Sequence, residues 1–392
     1  MYSFLKRFKQ SNRLPVVYVA NLFLAFHYFL VLYIHSSFLS EYISEKAVGL
    51  LYTVGSVINL LFLLNVPKII NRFGTYQLAL AAIALEIFSI IAFALSDTPF
   101  VILLSTLIFL TVIPLIIFSL DMFVEKYAIS ENETGKTRSF FLTLSNISLV
   151  IAPAVVSVLT KQGSFRAVYM LSAFFLIMAF GIVLRGLKGF KDARFSNAPI
   201  VTNVLRFFKQ ARLRNVFFAN LILHIFYSWM VIYVPLYLFH EIGFDWPTIG
   251  IMFTIMLLPF VLFELPLGII ADTRLGEKEI MATGFIITAI ATAAISIPTT
   301  QNFFLWTSIL FLTRTGASFI EVMTETYFFK FVNNSNSDAI GIFRLTRPIS
   351  YIIGTLAATV ALSFINYRFI FIGLAIIVLL GLYPTWKLKD TR

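Results

Sequence analysis

Apolar residues in this chain neither alternate nor recur on one helical face; they run in long blocks. Twelve blocks, at roughly 15–39, 47–66, 76–95, 99–124, 139–160, 166–186, 214–239, 247–270, 280–298, 302–326, 345–364 and 367–386, are divided by short polar connections. About 20 apolar residues suffice for a helix to cross ~30 Å of hydrocarbon. Lipid offers no partner to backbone polar groups, and the blocks are too long and too evenly apolar for barrel strands, so each reads as a membrane helix. The first block follows Lys6, Arg7, Lys9 and Arg13 and outruns a cleavable signal's apolar region, so it reads as retained. The one long connection, 187–213, sets Val201, Val204, Leu205 and Phe208 at i, i+3, i+4 and i+7, opposite Arg206 and Gln210. That spacing predicts an amphipathic helix lying on the membrane surface. The expected fold class is all-α: an integral membrane protein of twelve transmembrane helices, six on each side of that connection.

Composition agrees with the pattern. Of 392 residues only 12% are charged, against roughly 25% in soluble domains, and the mean hydropathy is +0.90. The formal charge of +11 comes from 30 Lys and Arg against 19 Asp and Glu. Only Lys46, Lys161, Arg166 and Arg368 fall on the side opposite the N-terminus, and Arg314 lies within a block. The positive-inside rule therefore places both termini in the cytoplasm and explains the basic balance without nucleic acid. Zero cysteines exclude disulfides and thiol chemistry, and four scattered histidines lack metal-ligand spacing. Gly135-Lys136-Thr137 imitates the tail of a phosphate loop, but no strand precedes it. With no nucleotide-binding domain and no soluble segment fit for an enzyme, no cofactor is expected.

The two halves also repeat. Asn21 and Tyr28 in the first block recur as Asn220 and Tyr227 in the seventh. Asp121, Glu125 and Tyr127 at the end of the fourth recur as Glu321, Glu325 and Tyr327 at the end of the tenth, and Gly135 to Arg138 recurs as Gly341 to Arg344. Parallel repeats imply a pseudo-two-fold axis along the membrane normal, with a site between the halves at mid-depth. The expected organisation is an N-terminal segment 1–14, six-helix bundles 15–186 and 214–386 around the 187–213 connection, and a tail 387–392.

At the hallmark loops the chain resembles the major facilitator superfamily of secondary transporters, over essentially its whole length. The family motif, Gly-x-x-x-Asp-Arg-x-Gly with basic residues after it, follows the second and eighth spans. The first copy here reads Pro67-Lys-Ile-Ile-Asn71-Arg72-Phe-Gly74 and the second Gly268-Ile-Ile-Ala-Asp272-Thr-Arg274-Leu-Gly276. The first has Asn for Asp and Pro for the opening Gly; the second carries one extra residue. The segment Leu312 to Ala317 is similar to the family's antiporter-associated Arg motif, but stands in the tenth span, not the fourth.

Charges inside hydrocarbon cost at least ~2.5–3.5 kcal/mol by insertion scales, which singles out the tenth block. Arg314, Glu321 and Glu325 are spaced to share one helical stripe. The resemblance implies that spans 1, 4, 7 and 10 line a central cavity. Arg314 then reads as a substrate anchor and Glu321 as a proton-coupling group, or both as an ion-pair ladder that steadies packing. Asn21, Tyr28, Asn220, His224 and Tyr227 are cavity-lining candidates. His27 reads as a packed, backbone-bonded residue, and Glu86, on a peripheral span, as packing support. The resemblance further implies a cytoplasmic latch of Asn71, Arg72, Gly74, Asp121, Glu125, Arg138, Gly268, Asp272, Arg274, Gly276, Glu325 and Arg344; a solvated charge girdle is the alternative. Glu264 could join that gate or bond a neighbouring helix.

The expectation is a secondary active transporter in the cell (plasma or inner) membrane, moving a small solute by alternating access. Protons are the expected coupling ion, lipids the surroundings, and a monomer the working unit. Efflux of amphiphilic drugs or lipid-like molecules is the alternative within transport, and a non-transporting scaffold or receptor the alternative outside it.

Overall fold

The computed structural model describes residues 13–127, 131–190, 200–263, 266–267, 270–271, 276–332 and 337–389. It is 88% helical, with no strand among the described residues. In chain order the helices are α1 (Leu14–Leu32), α2 (His35–Ser40), α3 (Glu45–Phe73), α4 (Thr75–Leu95), α5 (Pro99–Tyr127), α6 (Glu131–Leu159), α7 (Arg166–Gly186) and α8 (Ile200–Lys209). They continue as α9 (Ala211–Leu236), α10 (Trp246–Leu262), α11 (Glu277–Ala294), α12 (Phe303–Phe331), α13 (Ser337–Arg344), α14 (Thr346–Phe364), α15 (Tyr367–Leu379) and α16 (Leu382–Trp386).

Among the described residues each apolar block falls mainly on helix, and ten helical segments are long and apolar enough to cross a membrane; α10 is apolar but shorter. The block expected to end near residue 270 is helical over Trp246–Leu262 and again at 266–267 and 270–271, with Leu267 N–H bonded to the Phe263 carbonyl at 2.9 Å. Pro235 lies inside α9, whose last turn runs on as a π turn over Tyr237–Glu241. Helix starts follow local chemistry. Ser44, Asp245 and Asn302 accept the backbone N–H three residues on and so cap α3, α10 and α12. Large apolar side chains such as Phe100, Phe304 and Phe364 stand exposed around the outside, as lipid-facing residues do.

The packing pairs repeat along the chain. Contacts of α1 with α6 and α7, α3 with α5, and α4 with α5 and α7 recur as α9 with α14 and α15, α10 with α12, and α11 with α12 and α15. Two further pairs, α6 with α10 and α3 with α14, join the earlier helices to the later ones. In the connection, α8 forms as the spacing predicts. Phe207 is its buried anchor, against Phe217 and Phe328, while Leu205 faces outward and Val204 and Phe208 are half-buried.

Candidate functional site

Bonds between early and late helices cluster at one end, marked by Ser40. Ser40 and His240 share a 3.0 Å hydrogen bond, Ser157 donates to the Pro247 carbonyl at 2.6 Å, and Thr53 pairs with Thr355 at 2.6 Å. The Phe165 ring meets Trp246 edge-on at 5.3 Å, and Tyr33 packs on Phe253 at 4.9 Å. Backbones approach closely there: a Cβ on Gly250 would lie 2.6 Å from the Pro153 carbonyl oxygen.

Below this closed end sits a buried polar cluster. Arg314, 1% exposed, donates from Nη2 to the Tyr33 hydroxyl at 3.3 Å and lies 5.4 Å from the ring centres of Phe226 and Tyr227. Its Nε is buried without a partner. Tyr227 in turn donates to Glu321 at 2.6 Å. Gly316, in the segment that is similar to the antiporter motif, serves helix packing. A Cβ there would lie 2.6 Å from the Gly284 carbonyl oxygen, so it lets α12 close on α11.

Tyr28 and Tyr227, matched by the repeat, hold different partners. Tyr28 accepts a hydrogen bond from Arg347, whose guanidinium also stacks 5.5 Å from its ring centre. These two residues line a cavity with Tyr52, Asn59, Phe109 and Tyr351. Arg347, a basic residue near the start of the eleventh apolar block, is the second residue of α14, and its side chain reaches the cavity. Its position three residues after Arg344 in an otherwise apolar block was the available signal. Tyr52, Ser56 and Asn59, at i, i+4 and i+7 on α3, form a polar stripe that also lines this cavity.

The repeated asparagines stitch helices. Asn21 donates to the Phe141 carbonyl at 2.9 Å and to Ser145 at 3.0 Å, tying α1 to α6. Asn220 donates to Thr346 at 2.9 Å, tying α9 to α14, the equivalent pair. His224 hydrogen-bonds the Asn220 carbonyl through Nδ1 at 3.1 Å. His27 is fully buried and bonds side chains rather than backbone: Ser172 at 2.7 Å and Glu86 at 3.1 Å. Glu86 thus supports packing among α1, α4 and α7.

At the opposite end, Arg344 donates to Glu325 at 2.8 Å, and the Asp121 charge lies near enough to act on it. Gly74 joins α3 to α4 at φ 88°, ψ 155°, a conformation essentially confined to glycine. Gly276, its counterpart, precedes α11 at φ −77°. Arg72 is exposed and lies 5.1 Å from the Phe73 ring centre, while Asn71 and Glu125 sit on α3 and α5. Glu264, Gly268, Asp272 and Arg274 lie outside the described residues, as does the Arg138 side chain.

A helical protein with ten segments apolar enough to cross a membrane, buried charged side chains and a cavity lined by earlier and later helices has the form of a membrane transporter, and the comparisons agree. The family model for the Major Facilitator Superfamily matches residues 17–246 and 216–392. A crystal structure of a mutant nucleoside transporter, NupG, is 14% identical at a TM-score of 0.73, covering 95% of this chain and 100% of that one. A peptide transporter POT in complex with sulfate is 11% identical at 0.76, covering 95% and 93%. An auto-inhibited POT family peptide transporter is 12% identical at 0.75, covering 97% and 98%. No curated protein sequence matches the chain. The protein is a multi-pass membrane transporter. It belongs to the major facilitator superfamily.

Proposed function

We propose that this protein is a secondary active transporter that moves a small solute by alternating access, coupled to protons. In this reading two pseudo-symmetric six-helix bundles, 15–186 and 214–386, rock against each other. The recurrence of the same helix pairings in both halves supports that division. The observation that carries the reading is the Arg314–Tyr33 bond, because it joins α12 to α1 across the two halves from a residue that is costly to bury. Glu321, held by Tyr227, is the proton-coupling group; binding or losing a proton changes what it can accept or donate.

Basic loops assign the Ser40 end to the outer face and both termini to the cytoplasm of a cell membrane. Closure at the Ser40 end then makes this the inward-facing state, in which Arg344 and Glu325 pair within one half. Asp121, from the other half, becomes a partner for Arg344 when the inner end closes. The protein works as a monomer, its two halves supplying both walls of the pathway. The cavity offers about 60 Å³, where one water needs about 10–15 Å³. That favours a small solute over a lipid-like one in this state.

The test is uptake into proteoliposomes under an imposed pH gradient. Glu321→Gln abolishes accumulation but retains solute exchange, and Arg314→Gln abolishes uptake with folded yield intact. Undiminished gradient-driven accumulation by Glu321→Gln removes that residue from coupling. No solute movement in the native protein under any gradient removes transport itself.

A further inference from the structure

We infer that the seam between α9 and α16 binds one anionic phospholipid, with the headgroup phosphate on Arg214 and Lys387 and an acyl chain along Phe218, Ile222 and Leu380. The seam is an open groove of about 480 Å³ lined by these residues and Tyr383, inside the roughly 300–1,000 Å³ range of ligand sites. Arg214 stands near the start of the membrane-crossing segment Ala211–Glu241, and Lys387 follows the segment Tyr367–Trp386, so both cations lie at the membrane edge. From there the polarity is graded. Arg214, Phe218 and Ile222 recur every four residues on α9 and form one row running about 12 Å inward. The facing wall repeats the order: Lys387 follows α16, Tyr383 lies within it, and Leu380 precedes it. Both walls thus offer a cation at the edge and apolar groups deeper, the order of phosphate and chain in a phospholipid. Phe218, Leu380 and Tyr383 are exposed, so the groove opens outward, where lipid lies.

Charge selects the occupant. Among the described residues lining the groove there is no acid, and both cations bond neutral groups. Arg214 donates from Nη1 to the Phe208 carbonyl at 3.5 Å, while Lys387 donates to the Tyr383 hydroxyl and lies 4.0 Å from that ring's centre. A guanidinium and an ammonium on facing walls suit a phosphate, and basic pockets between membrane helices at the cytoplasmic surface take anionic headgroups. The orientation proposed above puts this edge in the inner leaflet. A soluble anion would use the cations and leave the apolar floor empty, and a zwitterionic lipid would bring its own positive group to two others. The matching seam between α1 and the end of α7 is shut. Lys188 stands there where Lys387 stands here, in the register that matches Asn21 with Asn220. Its carbonyl accepts from Arg13 at 2.9 Å, and Val16 closes on α7 so tightly that a Cβ on Gly186 would lie 2.3 Å from Val16 Cγ1.

Native mass spectrometry of the purified protein in detergent tests this with dioleoylphosphatidylglycerol and dioleoylphosphatidylcholine, which share their chains and differ in headgroup charge. One phosphatidylglycerol should be retained per protein, roughly 25-fold more tightly than phosphatidylcholine, at about fivefold for each basic group. Arg214→Gln or Lys387→Gln alone should cut that preference about fivefold, and the two together should erase it. Lys188→Gln, at the matching but closed seam, should leave it unchanged. Phosphatidylglycerol should also raise the melting temperature of the native protein and not that of the double variant. Equal retention of both lipids, a preference that survives in the folded double variant, or one that Lys188→Gln erases as well, overturns the inference. So does displacement of bound phosphatidylglycerol by millimolar glycerol 3-phosphate, which would assign the cations to a soluble anion. Retention in detergent requires no solute movement, so failure here leaves the transport reading standing.

Discussion

The closed Ser40 end rests on glycines that admit no side chain, and filling one should tip the protein toward its other state. Gly250 on α10 faces α6. A Cβ there would stand 2.6 Å from the Pro153 carbonyl oxygen, 2.7 Å from Ser157 Cβ and 2.9 Å from Ser157 Cα. Two of these three atoms are backbone and cannot swing aside. The same contact carries the Ser157 hydrogen bond to the Pro247 carbonyl. Overpacking of this kind costs about 1–3 kcal/mol. The cost falls on the state in which α6 and α10 touch, so Gly250→Val should shift the equilibrium by roughly 5- to 150-fold, at about 1.4 kcal/mol per factor of ten. The chain has no cysteine, so a single introduced thiol gives an unambiguous reading. Ser37 is 1% exposed on α2, which packs on α9 at the closed end. In a Ser37→Cys background, Gly250→Val should raise the maleimide labelling rate by about the shift in that equilibrium. Unchanged labelling in folded protein would refute the argument that this interface holds the state closed.

The remaining predictions concern stability. Gly74→Ala should cost about 1–3 kcal/mol, because φ 88° with ψ 155° is hostile to a side chain; Gly276→Ala, at φ −77°, carries no such backbone penalty. Equal losses of melting temperature would contradict this. Glu86→Leu should destabilise through the stranded His27, by about 1–3 kcal/mol for a lost buried hydrogen bond, and His27→Leu added to it should recover part of the loss. Additive losses in a double-mutant cycle would count against the pairing. Glu325→Gln should change stability by less than about 1 kcal/mol, since its ion pair with Arg344 is about a third exposed on each side.

Sequence alone carried most of the helical segments, because lipid forces long apolar blocks into helices; prolines were poor guides to their ends, since Pro67, Pro114, Pro153, Pro235 and Pro259 all lie inside helices. The site was less legible. The matched pairs Asn21/Asn220 and Tyr28/Tyr227 stood out by repetition, yet repetition marks equivalent places in two halves, not equivalent partners. The asparagines hold helices together, while Tyr28 meets Arg347 and Tyr227 meets Glu321. Arg347 was hidden because a basic residue at the start of a span looks like an orientation signal. Only the inward reach of its side chain to Tyr28 separates the two roles. Tyr33 carried no charge to draw notice; it matters through Arg314.

The measurement that bears most directly on coupled transport is proton movement itself. Vesicles containing the purified protein and a trapped pH dye would receive a mixed panel of anionic, neutral and cationic solutes, with protein-free vesicles as the control. Proton coupling predicts that a transported solute changes lumenal pH, and that Glu321→Gln loses the pH change while retaining solute exchange. Solute entry without any pH change in the native protein would contradict proton coupling, and no entry of any solute would contradict transport.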